Sequence, residues 1–151
     1  MKKTICCMVS LLIVFLAVLP SVHAAEENWD SVVYFEDGSY ISIKIEEYSG
    51  RAAGSKSGTK TYNYYDSGNN LDWKAVLSGS FTYTGNTAIC NTSSCSVTIY
   101  DSSWYTVSKE NGKSGGSATG SVTMARKVLG ITVEQQPVNM KLTCDANGNL
   151  S

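Results

Sequence analysis

Histidine and proline are almost missing from this chain. Its 151 residues include one histidine, His23, and two prolines, Pro20 and Pro137. His23 lies in a segment that reads as a secretion address. Lys2 and Lys3 form a basic start, Ile5 to Leu19 is an uncharged apolar run, and Val22-His23-Ala24 supplies small residues for cleavage. Residues 1–24 are therefore expected to be a signal peptide, leaving a mature chain from Ala25 to Ser151 without any histidine. That excludes every histidine-based triad, dyad and metal cage. A fifteen-residue apolar run also falls short of the roughly 20 residues that span a bilayer, so no membrane span is expected after cleavage.

Charge and other signatures are equally sparse. Loss of Lys2 and Lys3 leaves ten basic against thirteen acidic residues, a net charge near −3, which makes nucleic acid and anionic membranes poor partners. Cys6 and Cys7 precede the apolar run instead of following it, against lipid anchoring. No sorting motif separates Cys144 from Ser151. Free secretion, or non-covalent retention at the cell envelope, is the expected localisation. No phosphate loop or dinucleotide fingerprint appears, and no cofactor is expected.

What the chain does hold is period-2 alternation. From Leu71 to Thr84, Leu71, Trp73, Ala75, Leu77, Gly79, Phe81 and Tyr83 share one face, with Val76 the exception on the other. A helix would scatter these residues around its circumference, so a strand is predicted, with a bend or bulge at Gly79. Val32–Glu36 and Ser39–Tyr48 flank Asp37-Gly38 and read as a β-hairpin. Val138, Met140, Leu142 and Cys144 form a buried row on a final strand, and weaker strands are predicted at 59–65, 96–100, 104–109, 118–127 and 131–135. Gly50–Gly58 and Glu110–Ser117, rich in glycine and serine, are predicted as mobile loops. Seven or eight short strands without an amphipathic helix indicate one all-β domain over residues 25–151, an antiparallel β-sandwich, Ig-like or a small barrel.

Three cysteines remain after cleavage, Cys90, Cys95 and Cys144. An odd number in an oxidising compartment leaves one thiol free or paired between chains. A Cys90–Cys144 link would close the longer loop and contribute roughly 4 kcal/mol, against about 2 kcal/mol for Cys90–Cys95 across an Asn91-Thr92-Ser93-Ser94 turn. Both pairings, and no disulfide, stay open on spacing alone. Cys95 is expected to be able to stay exposed.

Catalytic constellations are weak. Ser57-Gly58-Thr59-Lys60 spells S-x-x-K, but where a loop enters a strand and not at the start of a helix that would set Lys one turn from Ser. Glu46 and Glu47 are neighbours on a strand and point to opposite faces; Glu26, Glu27 and Asp30 are expected in a solvated N-terminus. Asp145-Ala146-Asn147-Gly148-Asn149 resembles the start of a calcium loop, but its glycine comes two positions early, and a turn explains it better. Three cysteines are one ligand short of a structural zinc site. No enzyme activity is expected. The functional lean comes from nine tyrosines, since tyrosine at a surface offers flat, rigid contact area with a polar tip. Tyr62, Tyr64 and Tyr65, beside a glycine-rich loop, are the candidate ligand contacts. Ordinary strand aromatics, chosen for β-propensity, are the competing explanation.

The stretch Gly58-Thr59-Lys60-Thr61-Tyr62, then Trp73 to Gly85, Cys90, Ser102-Ser103-Trp104 and Leu142-Thr143-Cys144 resembles small secreted proteins of Gram-positive, clostridia-like bacteria, over roughly residues 55–151. The resemblance implies source and secretion, implies no catalytic residue, and gives Cys90 and Cys144 the better claim to pairing. The expectation is a secreted, non-enzymatic β-domain binding a glycan or protein at or outside the cell surface. The alternatives are a secreted antagonist, bacteriocin-like or an inhibitor, and a small hydrolase using carboxylates that only the fold assembles.

Overall fold

A computed structural model describes residues 28–49 and 53–151, and the expected signal peptide lies outside them. Eight strands follow one another: β1 (Ser31–Tyr34), β2 (Tyr40–Ser49), β3 (Ser55–Tyr65), β4 (Leu71–Tyr83), β5 (Ala88–Ile99), β6 (Trp104–Ser114), β7 (Ser117–Val128) and β8 (Ile131–Thr143). Every pairing is antiparallel and between consecutive strands. They form a five-stranded sheet, β1 to β5, and a three-stranded sheet, β6 to β8. The three-stranded sheet packs on the β3–β5 side of the larger one. The all-β sandwich follows the sequence expectation, and its meander order has neither the closure of a barrel nor the crossover of an Ig fold.

The alternation from Trp73 to Phe81 fixes the core, whereas Leu71, expected on the same face, is set out of phase by the irregularity at Tyr64/Tyr65 and faces outward. Trp73, Ala75, Leu77 and Phe81 are fully buried and meet Ala118, Val122 and Met124 of β7 and Val138, Met140 and Leu142 of β8. Gly79 is the point of closest approach. A Cβ there would stand 2.6 Å from the Phe81 ring and 3.1 Å from Ala118 Cβ, so the missing side chain is what lets Phe81 fold back over the strand. The bulge lies next to it, where Ser80 pairs with Thr92 but Phe81 pairs with Cys90.

Several local expectations change. Glu110–Ser117 is not a loop, because β6 and β7 run to a tight turn at Gly115-Gly116, with Ser114 paired to Ser117. Of the other predicted loop, Ser55–Gly58 belongs to β3, and residues 50–52 lie outside the described residues. Asn91–Ser94 is likewise strand and not turn. The first hairpin has a positive φ only at Gly38, 85°, while Asp37 accepts from the Ser39 amide at 3.0 Å. Asp30 does not float free: its amide donates to the Ile43 carbonyl at 2.9 Å and its carboxylate accepts from the Ile45 amide.

Two loops have the same construction. Asp66 Oδ1 accepts from the Gly68 and Asn70 amides, and Asp145 Oδ1 accepts from the Asn147 and Asn149 amides. Short aspartate side chains thus replace the strand partners that the backbone loses at a turn. Gly148, at φ 88°, closes the second loop with its Cα against the Tyr83 ring.

The turns set a pH dependence. Hydrogen bonds from Asn70 and Asn149 hold the Asp66 and Asp145 carboxyls below the usual range; Ser39 does the same for Asp37, and Lys56 for Glu47. A carboxyl with a lowered folded pKa stabilises above its unfolded value and loses that contribution as pH falls through the folded one. Asp72 opposes this, its pKa raised by burial, so protonation there relieves a cost. The expected result is a flat melting temperature from neutral pH to about pH 5 and a fall below about pH 4. Asp145→Asn should flatten part of that fall. A melting temperature that rises from pH 5 to pH 3 would mean that Asp72, not the turns, dominates.

Candidate ligand-binding face

Ile41, Ile43 and Ile45 of β2 turn toward the sandwich interior, so Tyr40, Ser42, Lys44 and Glu46 face outward. In β3 the inward residues are Tyr62 and Tyr64, leaving Thr61, Asn63 and Tyr65 outside. Antiparallel register then sets Tyr34 opposite Tyr40 and Tyr40 opposite Tyr65. The result is an aromatic row across three strands. Tyr34 and Tyr40 ring centroids are 5.4 Å apart, Tyr40 and Tyr65 stack at 4.8 Å, and Trp29 meets Tyr65 edge-on at 6.5 Å.

Beside the row is a shallow groove of about 290 Å³, lined by Trp29, Lys44, Glu46, Thr61, Asn63, Leu71, Lys74 and Tyr100. Ser42 and Asn63 are buried at its floor, their side chains 3.5 Å apart. Lys44 and Glu46 form an ion pair at 3.5 Å, and the Tyr48 hydroxyl donates to Glu46 at 3.1 Å. An exposed pair of this kind adds little stability, so both side chains can exchange partners with a ligand at small cost. Rigid rings next to donors and acceptors suit a molecule with apolar faces and a hydroxyl rim.

Of the three tyrosines singled out in the sequence, only Tyr65 lies here. Tyr62 and Tyr64 are core residues, 7% and 2% exposed. Burial raises the Tyr62 hydroxyl pKa, and the Lys141 backbone across the sandwich counters part of that rise. Tyr64 stacks on Trp73 at 5.1 Å and donates to Glu134 at 2.9 Å, and burial pushes its hydroxyl pKa up to about 12. Strand alternation gives the reason, since residues 62 and 64 share the face opposite 65 up to the bulge at Tyr64/Tyr65. Trp29, Tyr34, Tyr40 and Tyr100 were missed. The Asp37-Gly38 turn together with an inward Ile41 already sets Tyr34 beside Tyr40; the contribution of Trp29 and Tyr100 depends on the fold.

Of the cysteines, Cys95 differs from expectation. Cys90, Cys95 and Cys144 are all buried free thiols, and Cys95 is not exposed. Cys90 and Cys95 occupy one continuous strand, where five residues span about 16 Å, far beyond the 4.4–6.8 Å Cα separation of a disulfide. The Asn91 bulge shifts the alternation so that both face the core. The fold does bring Cys90 and Cys144 to the same turn: the Cys90 amide donates to Gly115 O and the Cys144 amide to Gly116 O. Their thiols are not joined, Cys90 Sγ donating to Thr92 O and Cys144 Sγ to Asp145 O. Burial raises all three thiol pKa values, which makes them poor nucleophiles.

Most of the described carboxylates hold structure. Glu46 lies in the outer groove, whereas Glu47 pairs with Lys56 at 2.8 Å and accepts from the Leu150 amide. Asp66 and Asp101 hold turns, and Asp72 accepts from Trp104 Nε1 at 2.9 Å. Among the described residues no three His, Cys, Asp or Glu side chains gather into a group that could hold a metal. No family model, curated protein or solved structure matches this chain.

Proposed function

We propose that this protein is a secreted, non-enzymatic β-domain that binds a glycan on the outer face of its five-stranded sheet. The observation that carries the reading is the row Tyr34, Tyr40, Tyr65 and Trp29 bordering a groove whose walls are Lys44, Glu46, Thr61 and Lys74. Sugar rings present C–H faces to aromatic surfaces and hydroxyls to amides, ammonium groups and carboxylates. The groove offers both within one sugar's reach. A hydrolase would need two carboxylates converging across a cleft, and among the described residues Glu46 is the groove's one carboxylate.

A glycan array probed with the chain beginning at Ala25, followed by calorimetry on the best binder, tests this. Trp29→Ala and Tyr65→Ala are each expected to weaken binding about tenfold, the effect of losing roughly 1.4 kcal/mol of aromatic contact. Val107→Ala, on the exposed face of the other sheet, should change affinity little. Absence of any retained glycan, or full affinity in Trp29→Ala, would overturn the reading.

A further inference from the structure

We propose that the tip of the β7–β8 hairpin inserts into a lipid surface. Val128 pairs with Ile131, and Leu129 and Gly130 between them have φ of 51° and 81°. Two consecutive positive φ values define a type I′ turn, whose first position favours asparagine, aspartate or glycine and disfavours a branched apolar residue. Leu129 is nevertheless 97% exposed, and Val128, Ile131 and Val133 are 49%, 69% and 53% exposed. The tip therefore holds a strained residue with no packing in return. Nothing in the sandwich explains that choice, which points outside the molecule.

The geometry favours a fluid surface as the occupant. The apex is convex, suited to penetrating and not to receiving. From the Lys127–Thr132 pair to the turn the hairpin rises about 8 Å, close to the 5–10 Å depth at which interfacial apolar groups settle. The pairs behind the tip have the character of a membrane–water boundary. Lys127 Nζ lies 4.4 Å from the Tyr105 ring centroid, and the Tyr105 and Thr132 hydroxyl oxygens are 3.1 Å apart. Behind them Arg126 is neutralised by Glu134 at 3.1 Å. With Asp37, Asp66 and Asp101 in turns at this end of the sandwich and a net negative chain, attraction to anionic lipid is weak, so apolar insertion carries the binding and added salt should leave it nearly unchanged.

Flotation with phosphatidylcholine vesicles tests this, using the chain beginning at Ala25 so that the apolar run Ile5–Leu19 is absent. The expected result is co-flotation at millimolar lipid, little altered by salt. Leu129→Asn should raise the lipid needed for half-binding at least about tenfold while the melting temperature stays equal or rises, because asparagine suits the turn. Leu129→Phe should retain binding. No co-flotation, or unchanged binding by Leu129→Asn, would overturn the proposal. So would a dimer in light scattering that Leu129→Asn dissolves, which would make the tip a protein contact.

Discussion

Trp73→Ala is expected to cost about 3–5 kcal/mol of folding stability. Trp73 is fully buried, stacked on Tyr64 at 5.1 Å and edge-on to Trp104 at 6.1 Å. Those rings join the two sheets, so a cavity there removes contacts from β3, β4 and β6 together. A domain of this size holds about 5–15 kcal/mol in total, and the variant should unfold at a much lower urea midpoint. Trp73→Phe should cost less, since the indole Nε1 has no hydrogen-bond partner among the described residues and loses none. Urea titrations of both variants measure the difference. A loss below about 1 kcal/mol in Trp73→Ala would mean that the residue does not anchor the core.

Truncation before Val138 should abolish cooperative unfolding altogether. The removed segment carries Val138, Met140 and Leu142, all buried opposite Val122, Gly120 and Ala118. It also takes away the Thr143–Ser151 pairing and the Leu150 amide that donates to Glu47. What remains of the smaller sheet is two strands wide over Ser117–Val122, with Ile131–Pro137 of β8 beside the rest of β7, and a two-stranded ribbon is marginal in water at best. Near-ultraviolet circular dichroism of the truncated chain should lose the tryptophan signal and show no sharp thermal transition. A variant that keeps both would place the core within the five-stranded sheet alone.

Alternation alone made the faces from Trp73 to Phe81 and from Val138 to Leu142 legible, because a two-residue period assigns each side chain to a face without reference to any partner; Leu71 escaped the rule because the irregularity beside it arises from β3–β4 register. The all-β class, the Asp145 turn and the opposed directions of Glu46 and Glu47 followed from the same local rules. Glu110–Ser117 and Asn91–Ser94 misled for the converse reason: serine, glycine and asparagine carry no hydrophobic period, and only pairing with β7 and β4 holds them extended. The ligand face was half legible. Alternation could have placed Tyr40 and Tyr65 outward, but Trp29 and Tyr100 reach the groove from the segment before β1 and the end of β5, and no sequence spacing encodes that meeting. The cysteines divide in the same way. The sequence determined how many thiols the domain holds and that Cys144 continues a buried row; the Asn91 bulge, which sends Cys90 and Cys95 to one face of one strand, arises from β4–β5 register, a property of two strands together that neither specifies alone.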